Sequence, residues 1–434
     1  NIERNVPSRR GKNPCRSESD VMAAVQCARW TRFDVGGWDR ATCVSGDESA
    51  VPPIRPRHLG ACHWWRMKLW RAALALCWVV YAYVSALDDA AVEQVLAPDA
   101  SPWLAIDSDK SLLSRILIPR VSGTQESAKV REILSHPFRE AKNKHGKSKW
   151  HIEIEPFEAR TPLGERTFAN VILTRDPDAA RKLVLAAHYD SKYFPPGSAE
   201  EGFVGATDSA FPCAMLVDVA MALDAPLDAY TANRTAARRS YLPAHEDVTL
   251  QIVFFDGEEA MHQWSSTDSI YGARHLASQW LRTWDVPAWP PSHAEPRHVT
   301  GNHAPIRRIH SINHFVLLDL LGSPNASVPY YFGNTRHLHS QFHDIEGRLL
   351  MQKRLWPEGA AYERLFRDER GPSGIGDDHV PFLQQGVPIL HMIPYPFPSV
   401  WHTKDDNKSA LDQATLYAWT RILRIFTAEY LGLA

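Results

Sequence analysis

The stretch LQIVFFDGEEAMHQW, residues 250–264, joins an apolar run to two adjacent carboxylates. The run 250–255 has the length and the β-branched and aromatic content of a buried strand. Glu258 and Glu259 follow it closely, and neighbouring carboxylates resist burial unless they share a cation or a proton. The usual cation is a metal, with one Glu as ligand and the other as general base. For the pair taken alone, a solvated acidic loop is the alternative interpretation.

Apolar runs alternate with amphipathic segments from residue 87 to the C-terminus. Buried strands are predicted at 169–174, 183–187, 250–255, 314–320 and 387–393. Helices are predicted at 212–223 and 412–431, where apolar residues recur in steps of three and four. Strands that alternate with helices predict an α/β fold in which helices flank a central, mostly parallel β-sheet. We expect one catalytic domain over residues 87–434.

Three further segments give local predictions. The alternating segment 151–157 predicts an edge strand with Ile152 and Ile154 facing inward. Residues 225–247 are polar and predict an irregular surface insertion. Thr267 and Asp268 are candidate caps for a helix that ends near residue 281.

Charge and cysteine placement exclude two classes of protein. The 434-residue chain has a net charge of −2, which argues against nucleic-acid binding by bulk electrostatics. Five of its six cysteines precede residue 87, so no disulfide framework holds the main domain. Cys213 is the exception, and we expect a buried, inert thiol there.

The first 86 residues do not have the pattern of a domain. Residues 1–66 show no sustained periodicity, and we expect disorder or an over-extended gene model with Met67 as the true initiator. Residues 67–86 run from basic to apolar to small, as in a secretory signal; an uncleaved segment would be a short membrane anchor. Together with the sequons at Asn233, Asn325 and Asn407, this order predicts a glycoprotein that is secreted or lies in the Golgi or ER lumen.

Polar side chains with ligand chemistry follow the predicted strands or open helices. They are His188, Asp190, Asp208, Glu258, Glu259, Asp319, Asp377 and His402. Sites in open α/β sheets form at this edge, beyond the carboxyl ends of the strands. Imidazole and carboxylate ligands suit Zn²⁺, so the set predicts a zinc site. Taken singly, Asp208 or Asp319 could cap a helix and His402 could be a hydrogen-bonded loop residue.

A family resemblance covers roughly residue 87 to the C-terminus. The chain resembles the animal-type glutaminyl-peptide cyclotransferases, which are related to the zinc aminopeptidases of the M28 class. The motifs that carry it, in order, are AHYDSKYF, FVGATDSAFPCAML, FFDGEEA followed by Trp264, DSIYGARHLA, LLDLLG, DDHVPFL and FPSVWHTKDDN. One departure is Ala187, because the family places there the cysteine that pairs with the equivalent of Cys213.

The resemblance implies a zinc-dependent acyltransferase that converts the N-terminal glutamine of peptides to pyroglutamate and releases ammonia. It implies that one Zn²⁺ is held by Asp208, Glu259 and His402. Glu258 would be the general acid/base, and Asp319 and Asp377 would form an acidic hydrogen-bond network beside it. The implied walls of the substrate pocket are Trp264, Phe397 and Trp401. We expect a monomer whose partners are peptides or proteins with N-terminal glutamine.

Two other functions remain open at this point. A dinuclear zinc aminopeptidase could use His188 and Asp319 to bind a second metal bridged by Asp208. The Asp208-Ser209 sequence argues against it, because these peptidases have Asp-Asp or Asp-Asn around the bridging residue. A non-enzymatic ectodomain on a degenerate hydrolase fold is the third hypothesis. It conflicts with the presence of all three zinc positions and the base.

Overall fold

A six-stranded sheet with strand order β1-β2-β4-β3-β7-β10 forms the centre of the molecule. The computed structural model describes residues 86–240, 242, 245–285, 306–360 and 364–433. The strands are β1 (His151–Thr161), β2 (Gly164–Thr174), β3 (Arg181–His188), β4 (Val248–Phe255), β5 (Trp284–Asp285), β6 (Ile306–Arg307), β7 (Ile312–Leu318), β8 (Val328–Tyr330), β9 (Phe366–Arg370) and β10 (Ile389–Met392). Strands β4, β3, β7 and β10 are mutually parallel, whereas β2 and β1 add an antiparallel edge.

Helices cover both faces of this sheet. They are α1 (Asp89–Leu96), α2 (Ser101–Leu104), α3 (Leu112–Ile116), α4 (Gln125–Glu140), α5 (Phe211–Ala222), α6 (Asp224–Ser240), α7 (Tyr271–Arg282), α8 (Arg336–Met351), α9 (Val380–Leu383) and α10 (Gln413–Leu431). Along β4, Leu250, Ile252 and Phe254 pack in the core that contains α5 and α10. Val253 and Phe255 pack on the opposite face, in the core that contains α7. This two-sided burial explains why the parallel strands are largely apolar on both faces.

The closing helix α10 shows how local sequence sets its ends. Asp412 precedes it and accepts a hydrogen bond from the Thr415 N–H at 2.8 Å, as an N-cap does. Gly432 ends it with φ of 66°, a left-handed conformation that glycine adopts without strain. Its apolar side chains Leu416, Leu423 and Phe426 are buried. The predicted helix 412–431 is confirmed to within one residue, since it spans Gln413–Leu431.

Three local predictions are wrong. Much of the supposed irregular insertion 225–247 belongs to α6, because its polar face binds the domain through Arg238, which pairs with Asp176 and Asp247. Ile154 is 38% exposed, because β1 is an outer strand with little packed against it.

The third concerns the start of α7. Asp268 does not cap this helix; its carboxylate accepts hydrogen bonds from the backbone N–H groups of Met261, His262 and Gln263. It therefore shapes the loop after β4. No side chain caps the helix, whose N-terminal flanking residue is Ile270.

Predictions for residues 1–66 and 67–85 lie outside the described residues. Within the described part, no single helix has the length and apolar character needed to cross a membrane. One pair, Ala206–Ala222 with Asp224–Arg238, meets those criteria together but is bent by 62°.

Candidate metal centre and active site

Three loops at the carboxyl edge of the sheet bring Asp208, Glu259 and His402 together. Their ligand atoms lie within 4.8 Å of one another. His402 Nε2 is 3.2 Å from Glu259 Oε1 and 3.4 Å from Asp208 Oδ2. Asp208 Oδ2 is buried and accepts no hydrogen bond from any described residue. Two carboxylates and one imidazole are a donor set that fits Zn²⁺. The oxygen Asp208 Oδ2 is available to such an ion.

The pKa values of His402 and Asp208 are strongly shifted. Burial lowers the pKa of His402, but the carboxylates of Glu259 and Asp208 outweigh burial and raise it to about 9. Burial raises the pKa of Asp208, but a hydrogen bond from His188 and the adjacent His402 imidazole hold it well below its usual range. The Asp208 carboxylate is thus stabilised by nearby positive charge. A metal ion would supply that charge permanently and would displace the His402 proton.

Glu258 lies next to this set and is buried. Burial raises its pKa well above the usual value, and the carboxyl groups of Glu259, Asp377 and Asp378 raise it further, although His188 opposes them. A buried carboxyl of this kind holds a proton at higher pH than an exposed one, which suits proton transfer near neutrality.

Asp190 fixes the backbone that carries both glutamates. Its two carboxylate oxygens accept hydrogen bonds from the N–H groups of Glu258 at 3.1 Å and Glu259 at 3.2 Å. The loop turns at Gly257, where φ is 79° and a Cβ would lie 2.5 Å from the Phe168 ring. Glycine is therefore required there. Together these features hold the two glutamate side chains side by side.

Asp319 and Asp377 lie close by but form separate contacts. The Ser209 hydroxyl donates a hydrogen bond to Asp319 Oδ1, and Asp377 Oδ2 is 2.6 Å from His391 Nε2. Among the described residues, no hydrogen bond joins the carboxyl groups of Glu258, Asp319 and Asp377 to one another. Burial and the charge of Asp319 raise the pKa of Asp377 well above its usual value. The predicted pair is thus coupled through charge, with Ser209 and His391 as its hydrogen-bond partners.

The predicted aromatic walls lie on two loops. The Trp401 ring stacks on His402 at 4.1 Å, and Phe397 packs edge-on against Trp401 at 4.9 Å. Trp264 comes from the loop after β4 and packs against Gly376, which directly precedes Asp377. Trp264 and Trp401 are 43% and 41% exposed. Large, half-exposed aromatic rings beside buried carboxyl groups can contact a ligand.

Arg120 is a buried residue of the site that sequence reasoning missed. Its guanidinium donates hydrogen bonds to the carbonyl oxygens of Tyr189 at 2.7 Å, Gly205 at 3.0 Å and Asp208 at 3.3 Å. It also donates to Val204. One side chain thereby ties the end of β3 to the turn that presents Asp208. No pattern around residue 120 indicated this, because all these partners are distant in sequence.

Two other missed residues had weak signals. Lys192, whose Nζ lies 3.3 Å from Glu259 Oε2, stands in the AHYDSKYF motif. His391 lies inside the apolar run of β10, where a histidine is ordinarily a core residue. Cys213 matches its prediction: the thiol is buried, donates to the His188 carbonyl at 3.1 Å, and has its pKa raised by burial to about 12. It forms no disulfide within the described residues.

The ligands of the aminopeptidase hypothesis are also brought together. Atoms of His188, Asp208 and Asp319 lie within 4.8 Å of one another, with His188 Nε2 2.9 Å from Asp208 Oδ1. Asp208 belongs to both sets, as a bridging ligand would. The arrangement of these ligand-type side chains therefore does not by itself distinguish the cyclase hypothesis from the aminopeptidase hypothesis.

Comparison with known proteins separates them. The profile of Peptidase family M28 matches residues 170–427. The chain is 41% identical over 321 residues to a glutaminyl-peptide cyclotransferase of Bothrops jararaca, covering 74% of this chain and 80% of that one. It is 42% identical over 327 residues to a glutaminyl-peptide cyclotransferase-like protein of Bos taurus, covering 74% and 75%. The crystal structure of Macrostomum lignano glutaminyl cyclase superimposes with a TM-score of 0.61 at 31% identity, covering 80% and 95%.

Proposed function

The chain belongs to the glutaminyl-peptide cyclotransferases of peptidase family M28, and from this premise we propose how its own residues carry out the reaction. The enzyme is an acyltransferase that closes an N-terminal glutamine into pyroglutamate and releases ammonia. The observation that carries the proposed mechanism is the buried Glu258 carboxyl, which adjoins the set Asp208, Glu259 and His402. We propose peptides and proteins with N-terminal glutamine as substrates.

The three ligands Asp208, Glu259 and His402 would hold one zinc ion. Bound there, zinc would supply a Lewis acid that polarises the γ-carbonyl of the glutamine. We propose a single ion at this set; the alternative set of His188, Asp208 and Asp319 shares Asp208 with it and would hold a second ion in an aminopeptidase. Metal analysis of the purified protein tests the stoichiometry. One zinc per chain is expected, and two tightly bound ions would contradict this assignment.

Glu258 moves the proton. The α-amine nitrogen forms a bond to the γ-carbonyl carbon, and Glu258, in its ionised carboxylate form, accepts a proton from that amine. Glu258 returns the proton to the amide nitrogen, the bond between carbon and nitrogen breaks, and ammonia leaves. No water is consumed, because the proton that the amine loses is the one that ammonia carries away. Asp190 holds the backbone of Glu258 in place through this transfer.

The aromatic side chains limit the space around the glutamine. Phe397 and Trp401 pack against each other beside His402, and Trp264 stands over the loop that carries Asp377. An enclosed glutamine side chain spends more time folded back on its own amine, and such proximity accelerates cyclisation. Rings of this kind also exclude competing water from the carbonyl.

The test is product analysis on a short peptide with N-terminal glutamine. The peptide is expected to lose the mass of ammonia in the wild type, and Glu258→Gln is expected to lower kcat by roughly 10²–10⁴-fold with zinc retained. A matched peptide with N-terminal leucine is the control. Release of free leucine would indicate aminopeptidase chemistry, and a fully active Glu258→Gln variant would exclude Glu258 as the acid/base.

We also propose that the chain is a glycoprotein of the secretory pathway. Asn233 on α6 and Asn325 are both exposed, which supports their use as acceptors. Asn407 is less exposed, and its side chain accepts from the Ser409 N–H and donates to the Lys404 carbonyl, both at 2.9 Å. Treatment with an N-glycosidase is expected to reduce the mass of secreted protein and to leave Asn407 unchanged; a secreted protein of unaltered mass would contradict the proposal.

A further inference from the structure

A cleft of about 250 Å³ is bounded by the β1–β2 turn, the loop after β3 and the segment that precedes α4. Its walls include Leu163 and Arg166 from the β1–β2 hairpin and Tyr193, Phe194 and Phe203 from the loop. None of these side chains has a role in the proton transfer described above. The proposed mechanism therefore assigns no function to this cleft.

The cleft adjoins the candidate metal centre through two of its lining residues. Lys192 lines it and places Nζ 3.3 Å from Glu259 Oε2. Phe203 also lines it and meets the His402 ring edge-on, with ring centroids 6.2 Å apart. Phe194 packs on Phe203 at 5.6 Å. Lys192 therefore lies between the cleft and the candidate ligand Glu259, and Phe203 lies between the cleft and the candidate ligand His402.

A peptide substrate extends beyond its N-terminal glutamine. An extended chain advances about 3.3–3.6 Å per residue. If the N-terminal glutamine lies at the zinc ligands, the second and third residues extend past them, and the cleft is one side chain away from Glu259 and from His402. A peptide substrate therefore has to place its next residues here or in solvent.

The chemistry of the cleft suits such a segment. Apolar and aromatic groups dominate its walls, and Leu163 is 38% exposed. Arg166 adds a cation, and its Nε is buried without a hydrogen-bond partner among the described residues. An orphaned buried donor is costly unless a ligand supplies an acceptor. A peptide carbonyl oxygen is such an acceptor, and the apolar walls offer space for a side chain.

We propose that this cleft binds the second and third residues of the substrate. Phe194 and its neighbours contact an apolar side chain, and Arg166 donates to a backbone carbonyl oxygen. The inference rests on the proposed function, since it places the N-terminal glutamine at the zinc ligands. It adds a preference for the residues that follow that glutamine.

The experiment compares glutamine amide, which is too short to reach the cleft, with the peptide Gln-Phe-Ala-amide. Arg166→Gln is expected to lower the ratio of kcat/KM for the peptide to kcat/KM for glutamine amide by about five- to tenfold, because one hydrogen bond is lost. Arg160→Gln is the matched control, since Arg160 is exposed on the same hairpin and outside the cleft. Its ratio is expected to equal that of the wild type.

A second variant tests the apolar wall. Phe194→Ala is expected to reduce the preference for Gln-Phe-Ala-amide over Gln-Gly-Ala-amide by about tenfold. Ratios unchanged in both Arg166→Gln and Phe194→Ala, with active enzyme, would overturn the cleft proposal alone. A wild type inactive on every glutamine substrate would overturn the proposed function and the cleft with it.

Discussion

Buried charged side chains are arranged differently at the two ends of the parallel strands, which we call the amino edge and the carboxyl edge of the sheet. At the amino edge of the parallel strands, charged side chains are matched. Arg238 binds Asp176 at 2.6 Å and Asp247 at 2.8 Å, and Lys182 pairs with Asp285. At the carboxyl edge, buried carboxyl groups accumulate: Asp190, Asp208, Glu258, Glu259, Asp319, Asp377 and Asp378.

Among the described residues, the cations near the carboxyl edge neutralise only part of this excess; His188 and His402 contact Asp208. Lys192 pairs with Glu259, and Arg120 binds backbone carbonyl oxygens instead of a carboxylate. As a result, burial and mutual repulsion raise the pKa of Glu258 and Asp377 well above the usual values. Paired charges at the amino edge stabilise the fold. The excess negative charge at the carboxyl edge favours the binding of a metal ion and of a proton.

The largest expected effect removes the metal from the carboxyl edge. Glu259→Gln replaces a charged ligand by a neutral amide, so we expect loss of bound zinc and a fall in kcat/KM of about 10³-fold or more. Equilibrium dialysis and kinetics measure the two effects. Asp176→Asn neutralises a carboxylate at the amino edge and should leave zinc content unchanged. If both variants kept their zinc, the proposed difference between the edges would be wrong.

A smaller effect is expected when the charge next to the ligands is altered. Asp190→Asn retains the shape but leaves one acceptor oxygen for two backbone N–H groups. The glutamates would then lose their alignment, and kcat should fall about 10–100-fold. Steady-state kinetics on zinc-loaded protein would show it. Wild-type kcat in this variant would mean that the loop after β4 holds its shape unaided.

The amino edge should respond in stability instead of activity. Arg238→Ala leaves Asp176 and Asp247 buried without their shared cation, so the free energy of unfolding should fall by about 3 kcal/mol. Activity per folded molecule should remain that of the wild type. Urea unfolding and active-site titration separate the two quantities. A loss of activity at full stability would contradict the assignment of this edge to structure.

The smallest effect concerns pH at the amino edge. Burial, with a contribution from His337, lowers the pKa of His314 on β7 to about 4. Between pH 6.5 and 4, the unfolded chain binds a proton at His314 that the folded chain does not, so acidification lowers stability. The stability is fully present above pH 6.5.

We expect His314 to contribute a loss of about 2 kcal/mol between pH 7.5 and 4.5. His314→Gln should weaken that dependence, as measured by urea unfolding at the two pH values. His310 is an exposed histidine on the preceding turn, and His310→Gln serves as the control that keeps the wild-type slope. An unchanged slope in both variants would place the acid sensitivity elsewhere.

Much of the fold was predictable because its strands are buried on both faces. Runs such as 250–255 are apolar except for Gln251, which identifies parallel strands and places the polar residues that follow at one edge. Helix α6 was not predictable in the same way. Its sequence is polar, and Arg238 finds its carboxylate partners only in the folded chain.

Some residues of the candidate site were likewise predictable from the sequence, and others were not. Asp208, Glu259 and His402 stand in motifs at strand or loop ends, and the structure brings them within 4.8 Å of one another. Asp190 was recognised as a polar candidate, but its hydrogen bonds to the backbone of the two glutamates were not. Arg120 gave no signal, because a guanidinium that binds carbonyl oxygens requires no particular side chain at those positions.

The sequence by itself determined the order of strands and helices, the identity of the ligand-type residues and the family to which they belong. These depend on local patterning and on motifs that a linear chain displays directly. Tertiary structure alone decided which carboxyl groups lie close enough to perturb one another, which cation reaches which carboxylate, and where the cleft opens beside Lys192 and Phe203. Those outcomes depend on distances and on exclusion of water, and both exist only once distant segments have packed together.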